Sequence, residues 1–133
     1  MRKLLIAAVV LHFIIANWHG VTHQLVPVPL TAWQTAFVII VITVLPIIGA
    51  VLSFTRRQLL GARVIFWSMT ASALFGLIYH FIVTSVDNVW CVPEGPLRKQ
   101  FIISAVLVGL CEVFAAYRAW KAVGHLQREG KYA

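Results

Sequence analysis

Apolar residues run along this chain in four long blocks separated by short polar breaks. The blocks cover about 4–25, 32–54, 62–86 and 98–120, each near the ~20 residues a helix needs to cross a ~30 Å hydrocarbon layer. Pro27 and Pro29 end the first block, and Thr31 is placed to cap the second. Thr55-Arg56-Arg57 closes the second, and Asp87, Asn88, Pro93, Gly95 and Pro96 mark the last connection. Connections this short set consecutive helices side by side in opposite directions. The pattern predicts an all-α fold, an integral membrane four-helix antiparallel bundle, as one transmembrane domain over 1–133 with a short cytoplasmic tail over 121–133. Met1-Arg2-Lys3 before an apolar run also has the look of a signal peptide. The run is too long for that, and no small-x-small cleavage site follows it, so the first block is read as a retained helix.

Composition points the same way. Hydrophobic residues make up 61% of the 133 positions and charged residues 11%, with a mean hydropathy of +0.90. A water-soluble domain of this length needs more polar surface than that, so lipid is the expected outer solvent. The net charge of +7 would suit nucleic acid, but its distribution does not. Arg2, Lys3, Arg56, Arg57, Arg63, Arg118, Lys121, Arg128 and Lys131 fall on one side of the predicted topology, and only Arg98 and Lys99 on the other. That asymmetry predicts cytoplasmic N- and C-termini and contact with anionic headgroups, not nucleic acid. Trp33 and Trp90 then lie at the outer interface and Trp120 at the inner one. Cys91 and Cys111 sit about 20 Å apart in depth, too far to pair. The chain has no CxxC or CxxCH motif, which argues against thiol redox chemistry and covalently attached haem.

The residues that do not belong in lipid are His12, His19 and His23 in the first block, His80 and Asp87 in the third, and Glu112 in the fourth. At 100° per residue the first three fall within about 40° of one another, a stripe shared with Ala8 and Ala16. Such a stripe faces other helices or a cavity. Ser68, Ser72, Gly76 and His80 follow at four-residue intervals, and Ala105, Gly109, Glu112 and Ala116 share a face, so small-residue seams carry the ionisable groups. Measured from the outer ends, His19 and His80 both lie ~9 Å down, and His12 and Glu112 ~20 Å down. His23 and Asp87 sit near the outer surface. Pro46 on the second helix removes a donor and frees the carbonyl of Ile42.

Taken together, His12, His19-Gly20, His23, Gln34, Pro46, Ser68-Met69, Leu74-Phe75-Gly76, Tyr79-His80-Phe81, Asp87, Val92-Pro93 and Glu112 resemble a group of small four-span bacterial membrane proteins with His-rich first and third helices. The resemblance spans most of the chain and implies a fold and a location in a prokaryotic inner membrane. It implies no activity.

Several functions compete. An auxiliary or structural subunit of a larger membrane complex, such as a redox one, would use the small-residue seams to dock on other subunits or on a second copy of itself. A metal or haem b protein would use His19 and His80 as ligands, with His19, His23, His80 and Asp87 as the wider metal set; neutral imidazole suits several transition metals. A proton or ion path could run through the stacked His and Glu levels. His12 and Glu112 are expected as a buried polar pair joined by a hydrogen bond. No nucleophile, base and orienting group can be assembled into a hydrolase, so the balance is against an enzyme.

Overall fold

The computed structural model describes residues 2–26 and 28–130. Pro27, expected to end the first helix, and Lys131, counted in the charge asymmetry, lie outside the described residues, as do Met1, Tyr132 and Ala133. All regular structure is helical, and no strand occurs among the described residues. Four helices are long and apolar enough to cross a membrane, by length and composition: α1 (Arg2–Leu25), α2 (Ala32–Leu52), α3 (Gln58–Ile82) and α4 (Arg98–Glu129).

Local chemistry sets most of the ends. Thr31 caps α2 with a reciprocal box: the Gln34 side chain accepts from Thr31 N–H at 2.8 Å, and Thr31 Oγ1 accepts from Gln34 N–H. Within α2, residues Val38–Val44 are wound with i→i+5 hydrogen bonds, and Leu45 N–H reaches back to Ile40. Pro46, with no N–H to give, stands at the start of the α-helical turn that follows. A second wide turn, Ile78–Ile82, ends α3, where Val83 N–H donates to Ile78 O at 2.8 Å and the chain turns extended.

Two boundaries differ from expectation. The third helix spans 58–82 rather than 62–86, because Val83 onward folds back as a loop that the apolar run had concealed. Asp87 therefore belongs to this loop and not to a helix. The fourth helix continues to Glu129, so most of the expected tail is helical; His125 and Glu129 form an i,i+4 pair at 3.1 Å near its end.

Packing divides into two apolar layers. At the end holding the start of α1 and the end of α4, Leu5, Ala8 and Val9 pack with Ala62, Ile65, Met69, Ala115, Ala119 and Ala122. At the other end, Val26, Val28, Val89, Val92, Phe101 and Ala105 form a second cluster from two connections and α4. Between them lie buried polar side chains: His12, His19, Ser68, Ser72, His80, Ser104 and Glu112. The contact face of α4 keeps Ala105 and Glu112 of the expected seam, both buried, and is shifted by one residue at the other two positions. Ala115 and Ala119 are fully buried, while Gly109 and Ala116 are only half-buried.

The close approach between helices is also not where the small-residue seam put it. A Cβ on Gly61 would lie 2.6 Å from Gly49 O and 2.8 Å from Ser53 N, so α2 and α3 touch backbone to backbone there. A Cβ on Gly76 would meet only Glu112 Oε2 at 3.7 Å and His80 Cδ2 at 3.8 Å, ordinary contact distances. The outward faces carry large apolar side chains such as Ile39, Ile40, Ile48, Val51, Leu110 and Val113, which is compatible with contact with a lipid bilayer.

A histidine cluster as candidate metal centre

Three imidazoles from two helices meet beneath the second apolar layer. His19 and His23 are one turn apart on α1, and His80 comes from the wide last turn of α3. An i→i+5 turn takes more residues per revolution, which offsets the drift that a four-residue spacing accumulates on a plain α-helix. His80 thus stays on the inward side with Ser68 and Ser72, and is buried like them.

The three Nε2 atoms converge. His19 Nε2 lies 3.1 Å from His80 Nε2 and 3.1 Å from His23 Nε2. Ligand atoms from the three residues all lie within 4.8 Å of one another. Each Nδ1 points the opposite way, at a group that holds its proton. His80 Nδ1 donates to the Asp87 backbone carbonyl at 2.9 Å, and His23 Nδ1 to the Val28 carbonyl at 3.3 Å. A carbonyl only accepts, so in both neutral rings the proton sits on Nδ1 and Nε2 is bare. His19 Nδ1 lies 2.9 Å from Ser104 Oγ. The Ser104 hydroxyl donates to Phe101 O and the Thr22 hydroxyl to His19 O, so Nδ1 of His19 is assigned as the donor by the network around it. In the neutral rings three lone pairs then face one another, with His19 Nε2 3.1 Å from each of the other two, an arrangement that repels unless a proton or a metal cation sits among them.

Asp87 supplies the matching charge. Its carboxylate is 3% exposed, and neither oxygen has a hydrogen-bond partner. Oδ1 lies 3.2 Å from His80 Nδ1 and 3.4 Å from His23 Nε2. The loop holds it there: Val89 N–H donates to His80 O at 2.9 Å, and the Asn88 side chain donates to Val83 O at 3.0 Å. Phe101, fully buried, packs its ring against all three imidazoles, with centroid distances of 5.2, 4.8 and 5.8 Å to His19, His23 and His80.

The second polar group lies deeper. His12 Nε2 and Glu112 Oε1 stand 3.6 Å apart, beyond hydrogen-bond reach, and His12 Nε2 has no partner. The expected His12–Glu112 hydrogen bond is therefore replaced: Ser72 Oγ donates to Glu112 Oε1, leaving Oε2 unpartnered. Ser72 comes from α3, so a serine on the small-residue seam is also the carboxylate's partner.

Comparison with family models, curated proteins and solved structures finds no match to this chain. The site has to be read from its own chemistry.

The structure brings His19, His23, His80 and Asp87 into one place, and His12 and Glu112 near each other but unbonded. His23 and Asp87, placed by depth at a separate shallow level, join the His19–His80 level. Ser104, Thr22 and Phe101 complete the surroundings and carry no signal of their own in the sequence. The cluster is compatible with a metal ion. A tetrahedral ion with ~2.0–2.1 Å bonds to nitrogen sets its ligands ~3.3 Å apart, close to the spacing seen. It fits bis-histidine haem less well. Axial nitrogens on opposite sides of one iron would stand ~4 Å apart at similar bond lengths. His19 and His80 are closer than that, and their rings meet edge to face at 83° with His23 beside them.

Proposed function

We propose that this chain is a multi-pass membrane protein that binds one transition-metal ion through Nε2 of His19, His23 and His80, with Asp87 as its charge partner. The observation that carries the reading is the set of three converging Nε2 atoms, each ring tied at Nδ1 to an acceptor. Such outer contacts fix the tautomer and aim the free nitrogen at an ion. Three imidazoles, a carboxylate and no thiolate suit zinc, copper, iron or nickel. The four helices form an antiparallel bundle in a prokaryotic inner membrane with cytoplasmic termini, supported by the basic asymmetry and by the apolar outward faces. The cluster then lies near the outer leaflet, sealed from outside water by Val26, Val28, Val89 and Val92.

A subunit role is second to this. Of the small residues that suggested docking, Ser68, Ser72 and Ala105 are buried by contacts within the chain, and Gly76, Gly109 and Ala116 are half-buried. What remains for a neighbouring protein is the same apolar surface that lipid covers.

The test is metal stoichiometry on untagged full-length protein in nanodiscs, stripped with chelator and reloaded with zinc or cobalt. One ion per chain is expected, with loss in each of His19→Ala, His23→Ala and His80→Ala and retention in His125→Ala, whose residue lies at the far end of α4. Absence of stoichiometric uptake, or uptake unchanged in all three cluster variants, would overturn the proposal.

A further inference from the structure

A cavity of about 560 Å³ connects the histidine cluster to Glu112. Its walls include His19, His23, His80 and Asp87 at one end and Ser72 and Glu112 at the other. Gly76 lies between the two ends: its absent side chain is what leaves His80 and Glu112 Oε2 facing a common space. The volume falls in the range of small-molecule sites, ~300–1,000 Å³.

The cavity opens between α1 and α2. These two helices meet near the terminal end, where Ala50 packs on the Leu5–Val9 cluster and Arg2 lies over the Phe54 ring. Toward the loop end they separate. Phe13 and Val21 of α1, 42% and 50% exposed, and the wide-wound Val38 and Ile42 of α2 form the two sides of the mouth. In a bilayer that mouth faces hydrocarbon, so the route in suits a molecule dissolved in lipid.

The floor selects a head group. Glu112 is 2% exposed, accepts from Ser72 on Oε1 and leaves Oε2 without a partner. A buried carboxyl oxygen with no partner costs several kcal/mol unless something satisfies it. A hydroxyl can donate to the carboxylate or accept from the protonated acid, so it fits either state, whereas an ammonium, which has no lone pair, fits only the charged one.

We infer that the cavity binds a lipid-soluble molecule with a hydroxyl head group, which enters between α1 and α2 and hydrogen-bonds to Glu112 Oε2 beside the ion site. This deepens the reading of the histidine cluster and rests on the same membrane placement, but the contact with Glu112 does not need the ion.

The experiment uses tritiated farnesol, an apolar chain with one hydroxyl, on full-length protein in nanodiscs, in metal-free and zinc-loaded forms, with empty nanodiscs subtracted. Saturable binding at one molecule per chain is expected in both forms. Glu112→Leu, or farnesyl methyl ether in place of farnesol, should weaken it by about 10- to 100-fold, as for a hydrogen bond to a buried charged or strongly polar group. Gly20→Trp places bulk at the mouth, where nothing lies within 4 Å of an added Cβ, and should abolish binding without touching the floor. Leu110→Trp, on an outward face of α4 and 61% exposed, should leave it unchanged. No saturable binding in either form, or binding by Glu112→Leu and Gly20→Trp equal to that of the parent protein, overturns the inference while zinc uptake stands. Farnesol binding without zinc uptake overturns the metal proposal alone.

Discussion

Replacing Gly61 by alanine should destabilise the protein, whereas the same change at Gly76, on the same helix, should not. The Gly61 Cβ would stand 2.6 Å from Gly49 O, 2.8 Å from Ser53 N and 2.9 Å from Ser53 Oγ. Two of these three atoms are backbone, so relief requires α2 to move away from α3. That separation would also loosen Ile65, whose Cγ1 lies against Gly49, and the Ser53–Gly49 hydrogen bond of 2.8 Å. Overpacking of this kind costs ~1–3 kcal/mol. Alanine returns up to ~1 kcal/mol of helix propensity, less in the first turn where Gly61 sits. The net expectation is a loss of about 1–2 kcal/mol. At Gly76 the added methyl group meets atoms only at 3.7 and 3.8 Å, so the propensity gain stands alone and Gly76→Ala should be neutral or stabilised by up to ~1 kcal/mol. Reversible unfolding of both variants in mixed micelles, followed by circular dichroism, measures the two values under one condition. Equal stability of Gly61→Ala and the parent protein, or a larger loss at Gly76 than at Gly61, would refute the backbone contact between α2 and α3.

Asp87→Asn keeps the shape of the side chain and removes its charge; ion affinity should fall about 10- to 100-fold in competition with a chromophoric chelator, and an unchanged affinity would remove Asp87 from the site. Phe101→Ala, which empties a fully buried position against three imidazoles, should cost about 3 kcal/mol of unfolding free energy and weaken ion binding as well. A membrane-impermeant maleimide applied to intact cells should label the exposed Cys91 and should not label a Gly130→Cys variant made without Cys91; the reverse pattern would invert the proposed topology.

The four helices were legible because lipid-scale apolar runs are a length signal, and little else in a short chain produces them. Their ends were less so. An apolar run through Ile82-Val83-Thr84-Ser85-Val86 reads as helix, yet hydrogen bonds from Val89 and Asn88 to His80 and Val83 draw this stretch back over the site. Those bonds join residues five to nine apart in a loop, and no periodicity announces them. At α4 the opposite happened. Charged residues after Trp120 read as a tail, but they are good helix formers on a helix already begun, and at 32 residues it is ~48 Å long, more than a bilayer requires. Gly49 and Gly61 were visible as glycines. That they face each other depends on how α2 and α3 cross, which a single helix's pattern cannot contain.

The polar stripe was legible for a different reason: angular arithmetic on α1 needs only one helix. Its limit was depth, since a ruler of 1.5 Å per residue set His23 ~6 Å above His19. Side chains on adjacent turns span that gap, and the two Nε2 atoms meet at 3.1 Å. Burial alone does not separate structural from functional polar groups here. Ser68 bonds to Ile65 O, Ser104 to Phe101 O and Thr22 to His19 O, so each is satisfied within its own helix and could be conservative packing. Setting these aside leaves His12 Nε2, the Asp87 carboxylate and Glu112 Oε2 without partners, and three imidazole nitrogens aimed at one another. Two exposed-end arginine Nε atoms, of Arg98 and Arg118, share the unpartnered state but lie away from the cavity. Asp87 and Glu112 line the same cavity as the three histidines. Where four helices are apolar enough to cross a membrane, the unpartnered Asp87 and Glu112 oxygens around one space are what the proposed occupants would satisfy, an ion at one end and a hydroxyl at the other.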